Sequence, residues 1–169
     1  VLAGPTASRL MAEMGAEVIK VEFPPLGDVA RALPAHKNGR SAYFTQQNRG
    51  KRSICLNAKT PEGRAILTEL LKTADVFIEN FAPGVVARLG CDYEAVRAVK
   101  PDIVYCSISG YGQTGPWCHR PAFAHTTNAM SGLMHLEQGD EPSPRASNLQ
   151  AADVLAATQA SSAINAGLF

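Results

Sequence analysis

Between Ala146 and Phe169 the chain carries one charged side chain, Asp153, among leucines, alanines, valine, isoleucine and small hydroxyls. An isolated carboxylate of this kind is a candidate catalytic group. It is equally a group that charges a helix N-terminus, where a negative side chain meets the positive end of the dipole. Ser147 and Asn148 are possible caps, and the apolar pattern after them predicts a helix packed on most of its circumference. At 3.6 residues per turn, Ala157 and Ala160 follow Asp153 on one face, leaving a surface without bulky neighbours on which a ligand could approach.

Three further stretches carry chemistry. Asn80 and Phe81 directly follow a β-rich run, Asp75 to Glu79, and in an open parallel sheet the loop past the carboxyl end of a strand is where ligands bind. There an amide can hydrogen-bond a purine edge or a ribose and a ring can stack, while a turn asparagine beside a core phenylalanine is the ordinary alternative. Ser109 to Pro116 holds Gly110, Gly112 and Gly115, which permit close backbone approach to a ligand but have neither Gly-x-Gly-x-x-Gly spacing nor a Walker lysine. From Arg31 to Arg64, eight cations (Arg31, Lys37, Arg40, Arg49, Lys51, Arg52, Lys59, Arg64) face one anion, Glu62. That is net +7 in a chain of +1, so the remainder is −6. The asymmetry fits a polyanionic partner, or else a solvated loop whose cations pair with acids elsewhere. His119, His125 and His135 do not recur at metal-ligand spacing, and Cys55, Cys91, Cys106 and Cys118 form no Cys-x-x-Cys pair, so neither a metal site nor a disulfide framework is expected.

The elements that must position these residues alternate. Pro5 as first helical residue, Leu10, Met11 and Met14 on one face and Gly15 as a stop describe a first helix. Val18 to Glu22 is a β-branched strand ended by Pro24-Pro25. Thr60 caps a helix opened by Pro61, with Ile66, Leu67, Leu70 and Leu71 as its buried stripe. After the run to Glu79 come a short helix with Val85, Val86 and Leu89, then a helix capped by Asp92 and stopped by Pro101, then a strand from Ile103 to Ser109. Ala129, Met130, Leu133 and Met134 give one or two amphipathic turns before a polar loop from Glu137 to Pro144. The rhythm predicts α/β: a Rossmann-like parallel sheet flanked by helices, in one domain over residues 1–169. With 46% hydrophobic and 18% charged residues, no apolar run near ~20 residues and no signal pattern, a soluble cytoplasmic protein is expected. The absence of an initiator Met suggests a start cut from a longer gene.

Eight segments together resemble the N-terminal part of the family III CoA-transferases, which include formyl-CoA and carnitine CoA-transferases and the α-methylacyl-CoA racemases. They are AGP at Ala3 to Pro5, GAEVIKVE at Gly15 to Glu22, AYF at Ala42 to Phe44 and NRGKRS at Asn48 to Ser53. The others are LNAKTPEGR at Leu56 to Arg64, ADVFIENFAPGV at Ala74 to Val85, YCSISGYGQTGP at Tyr105 to Pro116 and AMSGLM at Ala129 to Met134. The resemblance implies that the aspartate nucleophile is Asp153. It also implies CoA contacts at Val1, Leu2 and Ala3, at Leu56 and Lys59, at Asn80 and Phe81, and at Arg88. Coenzyme A is then a substrate with no prosthetic group, and its phosphates use the basic segment without invoking nucleic acid.

The activity so implied is transfer of CoA from an acyl-CoA thioester to a carboxylic acid through an aspartyl-CoA thioester. Two departures bear on it. Where many relatives have Tyr-Asp and the racemases His-Asp, this chain has Phe123-Ala124, with His125 two residues from the expected base, which weakens a racemase reading. Family members are also more than twice as long and interlock as dimers, so this chain is expected to lack the small domain, the returning C-terminal segment and a second glycine loop. The alternatives are a non-catalytic CoA-binding or assembly module and the racemase. An oligomer, a dimer as in the family, is expected because a domain cut through its core exposes apolar surface.

Overall fold

The computed structural model describes residues 1–143 and 145–169. Its elements are α1 (Ala3–Glu13), β1 (Ile19–Glu22), a 3₁₀ turn (Val29–Ala32), β2 (His36–Lys37), β3 (Arg40–Ser41), α2 (Ala42–Asn48), β4 (Arg52–Cys55) and α3 (Pro61–Lys72), continuing with β5 (Val76–Glu79), α4 (Val85–Arg88), α5 (Tyr93–Val99), β6 (Val104–Ser107), α6 (Ala124–Met130), α7 (Leu133–Gln138) and α8 (Ala151–Leu168). The expected α/β class with parallel strands is found. The strands hydrogen-bond two by two: β1 lies parallel to β4 with Glu22 opposite Cys55, and β5 parallel to β6 with Glu79 opposite Ser107. β2 and β3 make a small antiparallel hairpin.

Several starts follow their sequence signals. The Thr60 hydroxyl accepts from Gly63 N and Asp92 Oδ1 accepts from Ala95 N, each satisfying a free amide of a first helical turn. Glycine is needed at position 63, because a Cβ there would meet the Asn57 carbonyl. Leu67 and Leu71 of α3 join Leu56, Ala58, Val86, Cys91, Val96 and Ile103 in the main core. Ile66 of the predicted stripe faces outward instead, because only positions 67 and 71 point at that core. Pro5 is the third residue of α1, since the helix begins two residues earlier at Ala3. The amphipathic turns near Met130 form two short helices, separated by Gly132 at φ +80°, a backbone conformation that favours glycine.

α8 differs most from expectation. It begins at Ala151 without a side-chain cap; Ser147 is buried in the preceding turn, where its hydroxyl accepts from Leu149 N, and Asn148 is exposed. The small face at Ala157 and Ala160 is closed, packed with Ala7 of α1 against Cys106 and Ile108, and the Ser161 hydroxyl donates to the Ala7 carbonyl at 3.3 Å. Small residues here let two helices approach. Nor is α8 buried on most of its circumference: Val154, Leu155 and Leu168 are exposed.

Ala157→Leu should therefore wedge α8 from α1 and destabilise the chain by about 1–3 kcal/mol, whereas Gln159→Ala at an exposed position of the same helix should change stability by less than about 0.5 kcal/mol. Urea denaturation of both variants checks the pair.

Candidate functional site

The carboxyl ends of the parallel strands collect the candidate residues. Gly167 near the end of α8 lies against Val104 at the start of β6, while Ala157 and Ala160 pack near Cys106 and Ile108. α8 therefore runs antiparallel to β6 and carries Asp153, in its first turn, to the edge where β6 ends. Asn128 of α6, buried, fixes the approach to that turn by donating from Nδ2 to the Leu149 carbonyl at 2.9 Å. Asp153 is half-buried, and its charge reaches Tyr43 on α2: burial first, then Asp153, pushes the Tyr43 phenol above its ordinary range.

Asn80 joins two other segments at this edge. Its Oδ1 accepts from Gly4 N at 3.1 Å and its Nδ2 donates to the Ile108 carbonyl at 2.8 Å. Only glycine suits position 4, because a Cβ would come within 2.7 Å of Asn80 Cβ. Asn80 thus holds the Val1 to Ala3 turn beside the exit of β6, and its side chain is used inside the protein. Phe81 is 42% exposed, with its ring edge-to-face with Phe23 at 6.5 Å. Leu2, Ala3 and Leu56 are buried, their side chains taken up by the core. Lys59 and Arg88 are exposed on the turn before α3 and on α4, with the Arg88 guanidinium folded back near Gly84.

The basic segment divides. Arg31 grips Glu22 through two bonds of 2.7 Å and lies over the Phe44 ring, 3.8 Å from its centroid. Arg49 pairs with Glu13, and Arg52 with Glu17 at 2.7 Å. Those acids lie outside the segment, so for three of the eight cations the pairing alternative holds. Lys51 is withdrawn from any ligand: its ammonium donates to the Pro5 carbonyl at 2.8 Å and to Asn48 Oδ1 at 2.9 Å. Burial, with Lys20 nearby, lowers its pKa to about 7. Lys37, Arg40, Lys59 and Arg64 make no salt bridge among the described residues.

Two buried glutamates escape a reading by residue type. Glu22 ends β1, accepting from Arg31, from Ser53 Oγ at 2.6 Å and from Asp28 N at 2.9 Å; the guanidinium above all lowers its pKa to about 2. Glu79 ends β5, accepting from Ser107 Oγ and from Phe81 N at 2.8 Å. The strand-final position of each, with a serine on the neighbouring parallel strand, is the signal that could have marked them. His119, His125 and His135 are exposed. The cysteines are free thiols, and the described residues contain no His, Cys, Asp and Glu grouping able to hold a metal ion. No helix among them is long and apolar enough to cross a membrane.

A family model described as CoA-transferase family III matches residues 1–169. The succinyl-CoA:glutarate CoA-transferase of Mus musculus is 44% identical over 169 residues, 99% of this chain and 39% of its own length. The formyl-CoA:oxalate CoA-transferase of Streptomyces avermitilis is 41% identical over 170 residues, 100% of this chain and 41% of its own. Among solved structures, a CAIB/BAIF family protein from Brucella suis superposes with a TM-score of 0.92 at 38% identity, covering 99% of this chain and 46% of that one. This chain thus spans about 40% of the length of the curated relatives it matches.

Lys51 gives the fold a pH dependence. An unfolded lysine titrates near 10.5 and the folded one at about 7, so above pH 7 the unfolded state binds more protons and stability rises with pH. The Cys91 and Cys106 thiols, pushed above their ordinary 9.0 by burial, act in the opposite direction at higher pH. Thermal melts from pH 7 to pH 9 should show a rising Tm whose slope is flattened in Lys51→Met; an unchanged slope would remove Lys51 as its source.

Proposed function

The chain belongs to CoA-transferase family III, and from that membership we propose that it supplies the CoA-binding edge and the nucleophile of an enzyme that moves CoA between an acyl-CoA thioester and a carboxylic acid. The observation that carries the reading is the convergence at one strand edge of a half-buried aspartate, a glycine-rich loop and exposed Phe81. The relatives' names speak of succinyl, glutarate, formyl and oxalate groups, which supports a small carboxylic acid as the acceptor class.

In this reaction the ionised Asp153 attacks the thioester carbonyl, expelling CoA thiolate and leaving a mixed anhydride. The thiolate then attacks the aspartyl carbonyl, releasing the donor acid and forming an aspartyl-CoA thioester. The incoming carboxylate attacks that thioester and again expels thiolate. The thiolate finally takes the acceptor acyl group from the second anhydride and frees Asp153. The energy of the thioester is carried forward at each step, so no ATP is consumed. Backbone N–H groups of Gly110 to Gly115 are our candidates for holding the oxyanions. Lys59 and Arg88 meet the CoA phosphates through charge-assisted hydrogen bonds, Phe81 offers a ring face to the adenine, and the backbone of Val1 to Ala3, with Asn80 and Leu56, lines the site.

The outer face of α8 favours an additional assembly role. Val154 and Leu155, next to Asp153, are 46% and 62% exposed, and an apolar surface beside a reactive group is suited to being covered. A second copy of the chain is our proposed cover, in a homo-oligomer. A monomer by light scattering at high concentration counts against it.

Calorimetric titration with CoA should give micromolar binding. Lys59→Ala and Arg88→Ala should each weaken it by about tenfold or more, the cost of one hydrogen bond to a charged group. With acyl-CoA and hydroxylamine, mass spectrometry should place a hydroxamate on Asp153 that Asp153→Asn lacks. Absence of CoA binding by the folded chain would sink the reading.

A further inference from the structure

The two parallel strand pairs end alike and differ in one respect. Glu22 and Glu79 are the last residues of β1 and β5, 5% and 4% exposed, and each accepts a serine hydroxyl from the adjacent strand. Glu22 is neutralised by Arg31, whereas no cation within salt-bridge distance meets Glu79 among the described residues. A buried carboxylate bound only by neutral donors is costly for stability alone. Its bonds reach two functional segments. Oε2 fixes Phe81 N, and Oε1 accepts from Ser107 Oγ, which accepts in turn from Gln113 Nε2 at 2.6 Å. Gln113 also donates to Ser109 Oγ at 3.3 Å. The chain of bonds runs from the Phe81 turn to the middle of the glycine loop. The loop's first glycine, Gly110, is set by close packing against Ala122.

We propose that Glu79 is a positioning residue which, through Ser107 and Gln113, sets the glycine loop of residues 109–115 in register with the Phe81 turn. This rests on the reading of that edge as a CoA site. A carboxylate is required because both its bonds are accepted. In Glu79→Gln, either the amide nitrogen faces Phe81 N–H, donor against donor, or it faces Ser107, whose own hydroxyl proton must then find another acceptor. The Ser107 hydroxyl is suited to the relay because it donates to one neighbour while accepting from the other.

The 169-residue chain carries its own reporter: the sole tryptophan, Trp117, follows the loop, edge-to-face with Tyr111 at 5.7 Å and beneath Arg120. Ser107→Ala cuts the relay and leaves the Phe81 bond in place. It should speed amide exchange of residues 110–115 by about five- to tenfold, the loss expected for one hydrogen bond, and increase acrylamide quenching of Trp117. CoA affinity should stay within about twofold, while hydroxylamine-trapped adduct on Asp153 forms about tenfold more slowly. Glu79→Gln should add a loss of CoA affinity to the same loop signature. Gln113→Ala, an exposed substitution, cuts the relay if Ser107→Ala does not fold. Unchanged loop exchange and quenching in a folded variant overturns the proposal, as does exchange that rises uniformly along the chain. Failure of the unaltered chain to bind CoA overturns the CoA reading instead, and the exchange arm still decides whether Glu79 sets the loop.

Discussion

The carboxamide of Asn80 is the contact on which the candidate site depends. Parallel strands that pair only two by two leave the elements around them to be joined by side chains, and Asn80 does this where the joint matters. One end of its amide accepts from the start of α1 and the other donates to the residue after β6. Both partners are main-chain groups, so the bond fixes backbone rather than side-chain position, and glycine at position 4 is the condition for it. α8 rests on α1 through Ala7, which places Asp153 indirectly under the same control. A half-buried amide held between two main-chain partners is hard to replace, because loss of either end leaves a polar group without its partner.

The basic segment shows how one charge count can contain several functions. Arg31, Arg49 and Arg52 reach back to acids on β1, α1 and the turn between them, tying the segment to the first βα unit. Lys20 and Asp28 strengthen that anchor at 2.6 Å, and Lys20 and the Ala30 amide outweigh burial to hold the Asp28 carboxyl below its ordinary range. Lys51 serves as a hydrogen-bond donor to α1, in a setting that opposes its charge. The positive charge without an ion-pair partner is therefore only part of the +7 window, and it stands at exposed positions of the β2–β3 hairpin, the turn before α3 and the first turns of α3.

What was legible in the sequence was local. Thr60 and Asp92 announce their helices because a cap is a contact between residues three apart. The β-rich runs ending at Glu22 and Glu79 are visible because their side-chain types suit a pleated surface. The illegible features depend on contacts far apart in the chain. Ala157 reads as open surface until Ala7, 150 positions earlier, is seen to fill it, and Ile66 belongs to the apolar stripe by period but not by direction. Asn80 reads as a ligand contact from its place after a strand. The structure adds that its side-chain hydrogen bonds are made inside the protein, leaving the neighbouring Phe81 as the exposed group. The resemblance across eight segments supplied what periodicity could not: the proposal that residues 1–3, Leu56, Lys59, Asn80, Phe81, Arg88 and Asp153 belong to one site.

The position of Asp153 is compatible with both of its initial readings. A carboxylate in the first turn of an 18-residue helix is favoured by the unpaired amides beneath it, which is the structural role. No cation pairs with Asp153 among the described residues. The proposed nucleophilic role needs this freedom, since a guanidinium or ammonium holding the carboxylate would have to be displaced before attack. Glu22 is the counterexample in the same molecule, a carboxylate held so firmly by Arg31 that it is a fixed part of the scaffold. A place in the first turn of α8, without a cation to bind it, is thus compatible with the proposed nucleophilic role of Asp153.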